Sequence, residues 1–238
     1  MHTIPPLIAS NRLLLRPWQD DDAPLLYRYA SDPDVGPRAG WAPHQSVEES
    51  LHIIQTVFRN PTTWAIIRKE DDLLIGAIGY GPSCDCHLPA REGEPTVGYW
   101  IAKPFWNQGL CTEALQLLIA HLRQQNTLSP FAGSPKISDF RGALKGEPER
   151  VFPSLISGHF IDNPASGRVM EKCGFLPTGD ICYDPTLHSG TARPIRVLRL
   201  NFNAKNESIN MSGCAPTRRG CKQQSGQIAR VRRRPRLL

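Results

Sequence analysis

The 238-residue sequence predicts an α/β fold of the α+β type, with a mixed, mostly antiparallel sheet, a bulged central strand and flanking helices. Three observations predict it. Two apolar, β-branched runs, Thr63 to Ile67 and Leu73 to Tyr80, flank the charged segment Arg68 to Asp72, which has the length and polarity of a hairpin turn. Segments with apolar residues at helical spacing stand before and after that pair. Between them Thr96 to Ala102 reads TVGYWIA, a strand interrupted by Gly98, and a glycine inside a strand marks a bulge.

Taken in order, Leu13-Leu14-Leu15-Arg16-Pro17 is a short first strand, and Asp20 to Asp22 offer acceptors at the start of a helix that buries Leu25, Leu26, Tyr29 and Ala30. Ser46 and Glu49 have capping-box spacing, and Val47, Leu51, Ile54 and Phe58 continue the helical period to Arg59. Beyond the central strand a helix from about Thr112 to Gln125 places Leu115, Leu118, Ile119 and Leu122 on one face. Leu155 to Ile161 is a strand; Asn163-Pro164 opens a helix that Cys173-Gly174 closes. Ile181 to Tyr183 and Ile195 to Phe202 form a closing strand pair.

The domain spans residues 1–202. Residues 126–153 interrupt it, rich in Pro, Gly and mixed charge where a short connection is expected, and they read as a flexible insertion. Residues 203–238 read as a disordered tail, and from Lys205 onward they hold nine Lys or Arg, one acid and no aromatic residue. With a net charge of +6 overall, the body is slightly acidic, which argues against a nucleic-acid groove in the fold itself and leaves any RNA contact to the tail. The length suits one core, and no apolar run is long enough to cross a bilayer. Seven irregularly spaced cysteines fit free thiols in a reducing compartment, and the cytoplasm is the expected location. Cys84, Cys86 and His87 lack zinc-site spacing, so no metal is expected.

The informative run is Trp106-Asn107-Gln108-Gly109-Leu110-Cys111-Thr112-Glu113-Ala114, between a strand and an amphipathic helix. A glycine-centred turn at a helix N-terminus points several backbone N–H groups outward, an arrangement that suits a pyrophosphate. No Gly-Lys-Ser/Thr closes it and the dinucleotide glycine spacing is absent, which excludes both of those phosphate motifs.

The ordered series VGYWIA, WNQGLCTEA and FIDNPASGRVMEKCGF resembles the GNAT acetyltransferases over residues 9–125 and 154–202. Gly36-Pro37-Arg38-Ala39-Gly40-Trp41 with Pro43-His44 resembles the subgroup that acetylates ribosomal-protein N-termini and related amines. The resemblance implies acetyl-CoA as co-substrate and a primary amine as acceptor, either a protein N-terminus or a small molecule. It puts the pantetheine arm along Tyr99, Trp100 and Ile101 through backbone groups, and the pyrophosphate on Gln108, Gly109, Leu110, Cys111 and Thr112. It assigns a pantetheine bond to Asn163, which is also a good N-cap, and places Ser166 to donate a proton to the departing thiolate.

Direct attack in a ternary complex would follow, with a backbone N–H near Trp100 or Ile101 stabilising the oxyanion. The family often starts the cradle with Gln or Arg and ends it with Gly or Ala; here Trp106 and Cys111 stand there. Thr96 holds the position where a glutamate frequently helps deprotonate the amine; Glu94, two residues earlier and on the same face if the strand extends that far, is the substitute, with a water chain as the alternative. Cys111 is read as a small residue that fits the cradle and not as a nucleophile, although the helix N-terminus should lower its pKa. A homodimer is compatible with this reading. A non-catalytic CoA-binding or RNA-associated module is the alternative.

Overall fold

The computed structural model describes residues 4–82, 88–128, 152–184 and 192–202. Strand β1 (Ile8–Ala9) pairs with β2 (Leu13–Arg16), whose Leu13 and Leu15 are fully buried in alternation. A two-residue strand carries no period, so β1 left no pattern in the sequence. Asp22 receives Gln19 N–H at 2.9 Å and a fork from Arg16 at 2.7 and 2.6 Å, closing the turn that leads into α1 (Ala23–Ala30). The short α2 (Gly36–Ala39) ends at Gly40, whose φ of +96° is a left-handed helix stop.

Helix α3 (Val47–Ile53) starts where Ser46 Oγ accepts Glu49 N–H at 3.1 Å. The Glu49 carboxylate reaches back to Gln45 N–H at 2.5 Å, one residue beyond the expected box partner. The expected α-helix to Arg59 instead loosens into a π-turn over Ile54–Phe58.

The hairpin of β3 (Thr63–Arg68) and β4 (Leu73–Gly81) is present and antiparallel, with Asp72 at φ +55° in its turn. Central strand β5 (Thr96–Ile101) pairs with β4 in unbroken register from Gly76↔Ile101 to Gly81↔Thr96. The bulge expected at Gly98 is therefore absent from this ladder. A register shift falls in the β3–β4 pairing instead, where Ile66↔Gly76 and Ile67↔Leu74 leave Ile75 of β4 as the extra residue. Then come α4 (Leu110–Leu128), β6 (Ser154–Phe160), α5 (Pro164–Lys172), β7 (Leu176–Asp184) and β8 (Arg193–Asn201).

The sheet order is β1-β2-β3-β4-β5-β6-β8-β7, antiparallel throughout except for β5 against β6. Leu115, Leu118, Ile119 and Leu122 of α4 are buried in the core, the face their spacing predicts. Each fully buried leucine contributes roughly 1.5–3 kcal/mol. Among the described residues no helix is long and apolar enough to cross a membrane.

Helix α4 runs through Leu128, so 126–128 belong to it and not to the expected insertion. The Asn126 amide then grips Phe152, donating to its C=O at 2.9 Å and accepting its N–H at 3.0 Å. The rest of the insertion up to residue 151, the 203–238 tail, and Cys84, Cys86 and His87 lie outside the described residues.

Candidate active site

The only parallel neighbours in the described sheet, β5 and β6, share a single pair, Thr96↔Ile156. Ile156 N–H donates to Pro95 C=O at 3.1 Å and Ser157 Oγ to Val97 C=O at 2.8 Å; beyond that point the strands part. The phase of the β4–β5 ladder decides what the gap exposes. Ala102 N–H donates to Ile75 C=O at 2.8 Å, so alternation assigns the Trp100 backbone groups to Ala77 and turns those of Tyr99 and Ile101 toward β6. The Trp106 indole takes Ile101 C=O at 2.7 Å. Tyr99 N–H, Tyr99 C=O and Ile101 N–H remain, a strand edge open to an amide-bearing ligand. The backbone role expected of Trp100 is corrected accordingly, because its peptide groups are spent on β4.

Beyond β5 the backbone turns at Asn107 (φ +61°) and Gly109 (φ +74°), and α4 begins at Leu110, two residues before the expected start. Leu110, Cys111 and Thr112 therefore supply first-turn donors. Among the described residues the N–H groups from Gln108 to Thr112 have no protein acceptor. Left-handed backbone on either side of Gln108 keeps them outward, and glycine accepts that conformation without a Cβ penalty.

The turn is braced from behind. Arg12 Nη1 holds Gln108 C=O at 3.2 Å, Gln108 Nε2 donates to Pro104 C=O at 3.0 Å, and Glu113 receives Ser10 Oγ at 2.6 Å and Arg12 Nε at 2.7 Å. Against Gln108 and Leu110 lies an open cavity of about 310 Å³ whose wall carries Arg12, Arg68, Lys69 and Glu70. The sequence pointed to none of these braces; apart from the local Gln108–Pro104 bond, they join positions about a hundred residues apart.

Across the gap, Tyr99 Oη donates to Ser166 C=O at 2.9 Å and lies 3.2 Å from Ser166 Oγ. Burial pushes the Tyr99 hydroxyl well above its usual pKa, with the neighbouring Cys111 adding to the rise and the Ser166 bond opposing it. Asn163 caps α5 by accepting Ser166 N–H at 3.4 Å and gives its Nδ2 to Arg38 C=O at 3.1 Å. Both polar ends of the Asn163 side chain are thus engaged with protein.

The Cys111 thiol departs from expectation. Burial, with Cys173 adding to it, pushes it up to about 12, and Cys173 is itself raised by burial to about 11. Desolvation outweighs the helix end here, and neither thiol is a nucleophile at neutral pH.

Glu94 is likewise corrected. Strand β5 starts at Thr96, so Glu94 is not on it. Its buried carboxylate accepts Arg199 Nε at 2.6 Å and Nη2 at 3.0 Å, Ser154 Oγ at 2.7 Å and Arg91 N–H at 2.9 Å. Burial alone would raise its pKa, but Arg199, the Arg91 amide and Ser154 hold it below the usual range. A carboxylate so occupied is a poor proton acceptor. Thr96 Oγ1 and Trp100 Nε1 are buried without a partner among the described residues.

The mouth of the gap is crossed by α2 and the residues after it. Arg38 lies 5.5 Å over the Trp106 ring, Arg193 donates to Pro37 C=O at 2.6 Å, and Trp41 meets Trp100 edge-on at 5.9 Å. Burial lowers the pKa of both His44 and His121, with Glu49 partly offsetting the shift at His44. In each the folded-state value lies below the unfolded one of about 6.5, so the unfolded state binds the proton better. Their stabilisation is present above that pH and is lost as pH falls through the depressed values. Urea midpoints are expected to drop between pH 7.5 and 5.5, before the carboxylates begin to titrate.

A sheet that opens between two parallel strands, with outward amides at the helix that follows, presents donors suited to a ligand that carries both amide and phosphate groups. The acetyltransferase (GNAT) domain family matches residues 12–176, and the protein belongs to that family of acetyl-CoA-dependent N-acetyltransferases. It is 26% identical over 179 residues to the uncharacterized N-acetyltransferase YoaA of Bacillus subtilis, covering 73% of this sequence and 85% of that protein. An acetyltransferase of the GNAT family from Bacillus anthracis superimposes with a TM-score of 0.60 at 18% identity, over 83% of this protein and 99% of the other. The ribosomal L7/L12 alpha-N-protein acetyltransferase RimL, solved with coenzyme A, gives 0.59 at 17% identity over 84% and 100%. Among the described residues no cluster of His, Cys, Asp or Glu could hold a metal.

Proposed function

We propose that this protein transfers acetyl from acetyl-CoA to a primary amine by direct attack within a ternary complex. The observation that carries the reading is the run of partnerless amides from Gln108 to Thr112 at the end of an opened strand edge. Those donors receive the diphosphate, Gly109 lets the backbone approach it, and Tyr99 N–H and C=O pair with the pantetheine amides as a neighbouring strand would. Ile101 N–H is the donor for the thioester oxygen as negative charge develops there.

Ser166 Oγ stabilises the leaving sulfur. An alkyl hydroxyl is a weaker acid than a thiol, so it acts through a hydrogen bond, and the proton that finally reaches sulfur is the one the amine gives up. Holding both reactants on one edge replaces a bimolecular encounter, and no enzyme-bound acyl group is needed. Asn163 serves chiefly to fix the first turn of α5, and with it Ser166, against α2.

The likeness to a ribosomal-protein acetyltransferase makes peptide N-termini the first acceptors to try, followed by small amines. Thiol release from acetyl-CoA is expected only when an amine is supplied, with initial-rate lines that intersect as both substrates are varied. Binding of CoA without amine-dependent release would leave the non-catalytic reading; parallel lines would replace direct attack by a covalent route.

A further inference from the structure

We propose that His44 is the group that takes the proton from the attacking amine, an inference that rests on the acetyl-transfer reading above. Glu94, which stands nearest to the family's usual acid position, is locked under Arg199, and Thr96 has no basic atom. The side of the gap that α2 and its following residues cover holds another basic side chain.

His44 lies there and is held at two points. Its backbone N–H donates to Ala30 C=O at 3.1 Å, and its Nδ1 lies 2.8 Å from Oγ of the fully buried Ser50. The imidazole packs on Trp41 with centroids 5.3 Å apart, and Trp41 in turn meets Trp100, which sits on β5 between the two residues whose amides face the gap. Arg38 ties the same segment to both rims, stacking on Trp106 and giving its carbonyl to Asn163.

Two further features suit the role. The Trp100 indole N–H, in a residue more than nine-tenths buried, has no acceptor among the described residues, a donor left for a bound group. Burial also keeps the imidazole neutral at pH 7; Glu49, the carboxylate that acts on it, only partly opposes this. The role requires the tautomer in which Nδ1–H donates to Ser50 Oγ, which leaves Nε2 as the acceptor.

In the step, the amine nitrogen bonds to the thioester carbon and loses a proton to Nε2, directly or through one water. The C–S bond breaks, sulfur leaves as thiolate, and imidazolium returns the proton to it through solvent. The balance is amine plus thioester giving amide plus thiol.

The test uses the full-length protein with the best acceptor found, comparing wild type with His44→Gln and Ser50→Ala. His44→Gln is expected to lower kcat/KM for the amine by roughly 10²-fold, with the CoA dissociation constant unchanged. The acid limb of the wild-type kcat/KM profile, set below pH 6.5, is expected to vanish in His44→Gln and to persist at reduced rate in Ser50→Ala. An alkoxyamine acceptor, already unprotonated and a weaker base, should narrow the deficit of His44→Gln severalfold, an effect that misfolding cannot produce.

Wild-type rate and profile in His44→Gln overturn the assignment while leaving acetyl transfer intact. An equal deficit with both acceptor types overturns it as well. A wild-type protein inactive with every amine removes the underlying reading instead. Should His44→Gln fail to fold, absence of any acid limb below pH 6.5 in the wild type is sufficient to reject His44.

Discussion

Glu94→Ala is expected to cost about 3–5 kcal/mol of unfolding free energy, because Arg199 would be left charged and largely buried with no carboxylate to answer it. The pair joins the segment before β5 to β8, and Ser154 adds the first residue of β6 to the same carboxylate. Urea titration at pH 7 measures the loss directly. The folded-state pKa of Glu94 lies below its unfolded value, so this stabilisation is complete above about pH 4.3 and disappears as pH falls through the depressed value. Glu94→Gln, which keeps the shape and removes the charge, should lose less and retain the wild-type pH dependence of acetyl transfer per folded molecule. A pH–rate limb that disappears in Glu94→Gln would restore Glu94 as the base.

Ser166→Ala should lower kcat by roughly 10²-fold with little change in either KM, since the hydroxyl meets charge that exists only as the sulfur departs. The α5 cap survives the change: Asn163 bonds the backbone N–H of Ser166, and Tyr99 donates to the Ser166 backbone carbonyl. Steady-state thiol release separates the two parameters. An undiminished kcat removes Ser166 from the chemistry, and a rise in KM alone would make it a binding residue.

Much of the fold was legible because it is written in periods. The hairpin turn Arg68–Asp72, the apolar face of α4 and the Asn163-Pro164 start of α5 each follow from a few neighbouring residues, and each stands where its pattern places it. What failed was what pattern cannot carry. A glycine in a strand suggests a bulge, yet Gly98 sits in regular register, and the opening arises because β6 leaves β5 after one pair.

The cradle was legible as a local run, from Trp106 to Thr112. Its bracing was not, because Arg12, Ser10 and Glu113 meet only after folding. Glu94 illustrates the same limit: sequence placed a carboxylate near the right strand, while its character was decided by Arg199, 105 residues away. Cys111 was misjudged for the reverse reason, since a helix end is visible in sequence and depth of burial is not.

The Asn126 amide makes with Phe152 the same pair of bonds that one strand residue makes with another. Helix α4 and strand β6 are thereby fastened to each other ahead of whatever residues run between them. Variants altered between those two anchors are therefore expected to keep the Asn126–Phe152 clasp, whereas Asn126→Ala, which removes both bonds, is expected to loosen the junction and lower the urea midpoint.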